Sequence, residues 1–266
     1  MHMGKDAIFL CRERSILEVS GSESKKFLQS VITNELGVED NSIIYSALLN
    51  PQGKYLFDFF IVRRSSNFFL IDIDNQACKQ LFERLTLYKL RADVNIVETK
   101  AVISLGFSQK PKDAFYDPRC KEMGWRHYLT SQNNNIGFSE FDKNIYDKLR
   151  VELCIPETNL ELIPDKTYIL EAGFERLSGV SFSKGCYVGQ EVTARMRHKT
   201  ELQKGLVKVK INGVTNGPNS EIMFNTKIVG TLHTRVGDYA IAHLKFKYEH
   251  LSLRCGEAIL EQVIRF

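Results

Sequence analysis

The chain has 266 residues, a net charge of +4, and 43% hydrophobic and 26% charged residues, the make-up of an ordinary globular protein with two or three compact units. That charge is too small to imply a nucleic-acid coat, and no apolar run approaches a membrane span. The six cysteines stand more than thirty residues apart without a CxxC pair, and the six histidines form no HxxxH set, so neither a zinc module nor a local cluster site is indicated.

Ala7 to Cys11 is too short for the apolar region of a signal peptide. Free thiols without an export signal give a reducing cytoplasm as the expected location, with an organelle form that has lost a presequence as the alternative.

In chain order, Ser15 to Ser20 predicts a short strand ended by Gly21. Ser22 is then expected to cap a helix with Phe27, Leu28, Val31 and Ile32 on one apolar stripe. Ile43 to Leu49 and Lys54 to Val62 read as strands joined at Asn50-Pro51-Gln52-Gly53, which suits a type I turn. In the second strand Tyr55, Phe57, Phe59 and Ile61 share one face, and Leu56, Asp58, Phe60 and Val62 the other. Asp58 is the only charge in that strand, and a half-buried carboxylate is costly unless it is paired or has a function.

Asn67 to Asp74 predicts a third strand, and Asn75 a cap for a helix with Cys78, Leu81, Phe82, Leu85 and Tyr88 inward. Arg91 to Val97 and Lys100 to Phe107 are two more strand candidates. Strands, helices and hairpins in this order indicate an α+β layer, and no glycine-rich nucleotide loop is present. Asp117-Pro118-Arg119 and Gly124-Trp125-Arg126 precede a loop through Asn133 to Asn135. Ser139 with Asp142 has capping-box spacing for a helix containing Phe141, Ile145 and Leu149. Arg150 suits a bidentate anion contact or an ion pair with Asp147 or Glu152.

The densest motif is Lys184-Gly185-Cys186-Tyr187-Val188-Gly189-Gln190-Glu191, led in by Gly179-Val180-Ser181-Phe182. Its two glycines permit positive φ and close backbone approach. From Gln190 the pattern turns helical, with Glu191 and Arg195 at i,i+4. A cysteine between a lysine and a helix N-terminus is where a thiolate is stabilised. From Arg195 to Lys210 stand six basic residues, Arg195, Arg197, Lys199, Lys204, Lys208 and Lys210, against one acid, Glu201, which suggests an anionic ligand or a solvated face. Beyond Thr200, Lys204 to Ile211, Glu221 to Phe224, Lys227 to Val236, Tyr239 to Phe246 and Glu257 to Ile264 read as strands, with Asn212-Gly213 as a hairpin turn. Short strands without helices indicate a small closed barrel or sandwich.

The 179–195 segment closely resembles the YgfZ-type folate-binding proteins, relatives of the glycine-cleavage T-protein linked to iron–sulfur cluster assembly or repair. Gly21 to Glu35, Asp117 to Arg126 and the Arg150…Ile155-Pro156 element are similar to the same family, with Asn34 where the family commonly has Asp and Cys154 where it has glycine. The resemblance implies an α+β aminomethyltransferase-like fold of two subdomains around a central funnel, residues 1–199, and a C-terminal β-barrel, residues 200–266. It implies tetrahydrofolate as cofactor, Cys186 as the reactive group with Lys184 as its electrostatic partner, and Asp58 as the folate-facing acid. Tyr187, Gln190, Glu191, Arg150, Arg195 and Trp125 are the other expected folate contacts, with Arg195 and Arg197 drawing the glutamate tail. The aminomethyltransferases carry an Asp-Asp pair in the matching strand, and Phe57 replaces the first.

The leading expectation is a tetrahydrofolate-binding protein that assists assembly or repair of iron–sulfur client proteins. A folate-dependent one-carbon transferase of the glycine-cleavage type is a second, and a folate-regulated scaffold contacting tRNA through the basic segment is a third.

Overall fold

In a computed structural model of the protein, residues 8–129, 142–199 and 201–266 are described. The expected loop at Asn133 to Asn135, the expected cap Ser139 and the expected helix residue Phe141 lie outside them, and the described helix is capped by Asp142. The chain divides into two compact units: residues 1–51, 56–141 and 177–190 form the first, and residues 52–55, 142–176 and 191–266 the second.

The first unit contains β1 (Ile8–Cys11), β2 (Arg14–Ser20), α1 (Ser24–Val31), β3 (Ser42–Leu49), β4 (Tyr55–Ser65), β5 (Phe68–Asp74), α2 (Asn75–Lys89), β6 (Asn95–Glu98), β7 (Val102–Gly106), β8 (Phe115–Tyr116) and β9 (Trp125–Leu129). They make a five-stranded sheet in the order β3-β4-β5-β2-β6 and a four-stranded sheet in the order β1-β7-β9-β8. The period-two pattern of the central strands decides the layering. Leu17, Val19, Phe59, Ile61, Ile71 and Ile73 turn to one face of the larger sheet. There they bury against Phe27, Leu28 and Val31 of α1 and Cys78, Leu81 and Leu85 of α2.

The opposite face carries Asp58, Phe60 and Asp72. Asp72 stands in register with both Phe60 and Ile16, and its hydrogen bonds to Arg126 and Tyr128 of β9 tie the larger sheet to the smaller one. A tight contact fixes β7 against β9, because a Cβ at Gly106 would lie 2.1 Å from the Trp125 ring.

Local capping differs from the sequence expectation at two helices. Ser22 is taken by Asp93, to which its hydroxyl donates at 2.5 Å, so α1 begins two residues later behind Glu23, which makes no side-chain cap. At α2 the cap is Asp74, accepting from the Gln76 amide at 2.9 Å, and Asn75 is the first helical residue. In both cases the expected capping side chain is engaged elsewhere, Ser22 with Asp93 and Asn75 with the Ser15 hydroxyl and the Arg12 carbonyl. Phe82, expected inward, is 36% exposed.

The second unit contains α3 (Lys143–Glu152), α4 (Gln190–Lys199, whose first residue belongs to the first unit), β10 (Lys204–Asn212), β11 (Ser220–Phe224), β12 (Lys227–Val236), β13 (Tyr239–Lys245), β14 (Leu253–Cys255) and β15 (Ala258–Ile264). The six strands close into a barrel in the order β10-β13-β12-β11-β14-β15. It encloses Val207, Val209, Ile211, Leu232, Ala242 and Leu260. Asn212-Gly213 does not make the expected hairpin, because β10 pairs with β13 and β15 rather than with β11. Closure gives β10 two partners already, and the chain needs residues 213–219 to reach β11. Cys154, where the resembled family has glycine, keeps the left-handed turn at φ 51°.

Candidate functional site

The motif loop is held by its lysine. Lys184 is buried, and its ammonium donates to the carbonyl oxygens of Gln29 at 2.8 Å, Ile32 at 2.5 Å and Asn34 at 3.0 Å. These acceptors lie at and just beyond the C-terminus of α1, where the last carbonyls of a helix lack intrahelical partners and the helix dipole is negative. All three N–H groups of the side chain are thereby used. The Tyr187 ring lies 4.9 Å from the same nitrogen. Burial pushes the Lys184 ammonium down to about 8, against a weaker upward pull from Glu35.

The lead-in segment of the loop is stitched to the same region. Thr33 donates its hydroxyl to the Gly179 carbonyl at 2.7 Å, the Ser181 amide returns to Thr33 O, and Asn34 Nδ2 donates to Ser178 O at 2.7 Å. Asn34 Nδ2 also donates to the Tyr45 carbonyl at 2.8 Å, and the Tyr45 hydroxyl donates to Asp58 Oδ2 at 3.0 Å. Lys184, Asn34, Tyr45 and Asp58 therefore form one continuous chain of contacts within the first unit.

Cys186 projects from this fixed loop. Of the six cysteines it alone is exposed. Gly189 uses positive φ at 81°, as expected, whereas a Cβ at Gly185 would meet nothing within 4 Å and its φ is not positive. Gln190 opens α4, its amide donating to Tyr187 O at 3.2 Å.

Asp58 faces a polar and aromatic cluster that sequence reasoning did not assemble. The guanidinium carbons of Arg126, Arg119 and Arg14 lie 4.0, 4.8 and 5.4 Å from the Phe60 centroid, and Arg119 is 5.4 Å from the Tyr45 ring. Asp117 binds Arg119 with both oxygens, and Asp72 accepts from Arg14 at 2.5 Å and from Arg126 and Tyr128 at 2.8 Å. Burial raises the Asp72 and Asp117 carboxyls, and the arginines beside them outweigh it and hold both below the usual range. Three aspartates balance three arginines. The signal was present: Asp72 is an acid flanked by Ile71 and Ile73 in the apolar strand β5.

Three other expected contacts have surroundings within their own units. Trp125 is buried in β9 against Gly106, and its indole nitrogen has no hydrogen-bond partner among the described residues. Arg150, in the second unit, is 1% exposed. Its guanidinium engages Asp147 at 2.9 Å, Glu157 at 3.1 Å, Glu161 at 3.0 Å and the Thr234 hydroxyl at 2.6 Å. Glu191 pairs with Arg195 on the exposed side of α4.

The basic run is neutralised in three dimensions. Arg195, Arg197, Lys204, Lys208 and Lys210 each lie within 3.3 Å of a carboxylate, from Glu191, Glu175, Glu171, Glu152 and Glu261 respectively. All five of those acids come from outside the run, Glu191 from the same helix and the other four from more distant segments. The Lys199 side chain is outside the described residues. Among the described residues no His, Cys, Asp or Glu group could hold a metal ion, and no helix is long and apolar enough to cross a membrane.

Comparison with known proteins fits this anatomy. Residues 11–105 match the GCVT N-terminal domain, and residues 203–263 match the CAF17 C-terminal beta-barrel domain. The iron-sulfur cluster assembly factor IBA57, mitochondrial, of Mus musculus is 30% identical over 75% of this chain and 65% of its own length. The Homo sapiens protein of that name is 27% identical over 90% of this chain and 77% of its own. The Mycosarcoma maydis homolog is 29% identical over 73% of this chain and 54% of its own. The chain thus spans roughly half to two thirds of several of these relatives. In fold it is similar to the glycine cleavage system aminomethyltransferase T of Bartonella henselae, with TM-score 0.78 and 14% identity over 95% of this chain and 83% of that one. The protein therefore has the expected aminomethyltransferase-like fold, a GCVT-type domain followed by a CAF17-type barrel. One expectation is corrected: the similar proteins are named mitochondrial, which overturns the cytoplasmic location. Organelle proteins share the reducing-compartment cysteine usage on which that expectation rested.

Proposed function

We propose that this protein binds tetrahydrofolate and assists the assembly of iron–sulfur proteins, with Cys186 as its reacting thiol and Asp58 as its folate-facing acid. The observation that carries the reading is the exposed Cys186 on a loop anchored by buried Lys184 and joined through Asn34 and Tyr45 to Asp58. An exposed thiol on a rigid support is suited to reaction with a partner or bound carbon unit. The names of the similar proteins support the iron–sulfur role and client or assembly proteins as partners.

The chemistry of Asp58 fits a pterin, since a carboxylate accepts from an aminopyrimidine edge, and the buried Tyr45 and Phe60 rings support the strand that carries it. When bound, tetrahydrofolate would supply one-carbon or redox chemistry. This chain's own residues would orient the ring through Asp58, keep Asp58 in place through the Tyr45 hydroxyl, and present Cys186 from a fixed loop. Phe57 lies in the core shared with α1 and α2, on the face opposite Asp58. β4 therefore offers one carboxylate rather than the aminomethyltransferase pair, which favours an assembly role over aminomethyl transfer.

The test is calorimetric titration of the protein with tetrahydrofolate. Saturable binding is expected, weakened about tenfold or more in Asp58→Ala through loss of a charge-assisted hydrogen bond. Cys186→Ala should fold and bind folate normally yet fail to rescue a strain lacking the protein. Full rescue by that variant removes the thiol from the mechanism, and no binding at about 1 mM folate removes the cofactor.

A further inference from the structure

A second cleft of about 380 Å³ opens in the first unit, between the start of β3, the end of β4 and the segment that leads into β8. Its size falls in the range of small-molecule sites. Arg64, Lys110 and Lys112 line it against a single acid, Asp113, and Phe115 and Tyr116 form its apolar wall. None of these residues takes part in the contacts that join Lys184 to Asp58.

The charges here are not spent on one another as they are along the basic run. Among the described residues the half-buried Arg64 guanidinium has one hydrogen bond, a long 3.4 Å to Asn41 Oδ1. Its guanidinium carbon lies 5.6 Å from the centroid of the Phe115 ring. Burial lowers the Arg64 guanidinium, with Tyr128 and Asp113 acting against it. Lys110 holds the loop by donating to the carbonyls of Pro111 and Ala114 at 3.0 and 2.6 Å, which leaves one N–H, with its nitrogen 5.8 Å from the Tyr116 ring. Lys112 is exposed, and so is Tyr116, at 48%.

An under-used guanidinium fork with two ammonium groups matches the charge and geometry of a phosphate. An exposed tyrosine ring beside it offers a stacking face to a planar base. We propose that this cleft binds a nucleoside phosphate, the phosphate held by Arg64, Lys110 and Lys112 and the base laid against Tyr116.

The test is titration of the full chain with AMP at low ionic strength, followed by calorimetry. Saturable binding in the submillimolar range is expected, and it should weaken as salt is added. Arg64→Gln should weaken it about tenfold or more, and Lys112→Gln, an exposed change that leaves the fold alone, about threefold. Tyr116→Ala should weaken AMP several-fold and leave ribose 5-phosphate, which has no base, unchanged. Asp58→Ala should leave AMP binding unchanged, so failure here and failure of folate binding are separate results. No saturation by about 10 mM AMP overturns the proposal, as does affinity indifferent to both Arg64→Gln and Lys112→Gln. A short single-stranded RNA that binds in strong preference to AMP replaces the mononucleotide with RNA.

Discussion

Lys184 stands two residues before Cys186, and the sequence gives it an electrostatic role toward the thiol. Its ammonium instead terminates α1, 150 to 155 residues away in the chain. Removing it strands three carbonyls, so Lys184→Met should destabilise the protein by about 1–3 kcal/mol at neutral pH, measured by urea unfolding. The pH dependence has a defined sign. In the folded protein Lys184 loses its proton near pH 8, and in the unfolded chain near the ordinary lysine value of 10.5. Between these the unfolded state binds more protons, so this group makes stability rise with pH through that window. Wild type should show the rise, and Lys184→Met should lack it. Equal pH profiles would mean that the ammonium is not held in this way.

The element that organises the first unit is β4, because its two faces do different work. Phe57, Phe59 and Ile61 bury against helices, while Asp58 and Phe60 enter the polar layer shared with β9. Asp72, on the neighbouring β5, is the hub of that layer and has no exposed side-chain surface. Asp72→Asn would leave Arg14 and Arg126 without their shared anion, a loss of about 3–5 kcal/mol. The carboxyl is held below its ordinary value in the folded state. Its stabilisation is therefore present above the unfolded value of about 3.9 and is lost as pH falls through the folded one. The stability gap between wild type and Asp72→Asn, followed by chemical denaturation, should be constant from pH 7 to about 5 and close at lower pH. A gap that persists in strong acid would show that the cost is steric rather than ionic.

At the scale of the whole molecule, charge is balanced by fold rather than by sequence neighbourhood. Arg195→Gln with Arg197→Gln should leave RNA affinity and its salt dependence unchanged, since both guanidiniums already face carboxylates. A salt slope reduced by about two would restore the basic segment as a nucleic-acid surface. The sequence by itself determined what depends on local periodicity: the alternation of β4, the stripe of α1, the strand-rich barrel, and the loop that presents Cys186. It also marked Asp58 as a carboxylate needing a partner, because one charge in an apolar strand is visible without coordinates. Trp125 was legible as a residue of the core or a sheet edge, whereas the commitment of Arg150 to Glu161 and Thr234 was not. Only the tertiary structure decided those partners, along with Tyr45 for Asp58, Asp72 for Arg126 and the helix carbonyls for Lys184. The physical reason is that backbone periods of 2 and 3.6 residues act between near neighbours. Desolvated charges are satisfied by whatever group the topology brings within about 3 Å, from any distance along the chain.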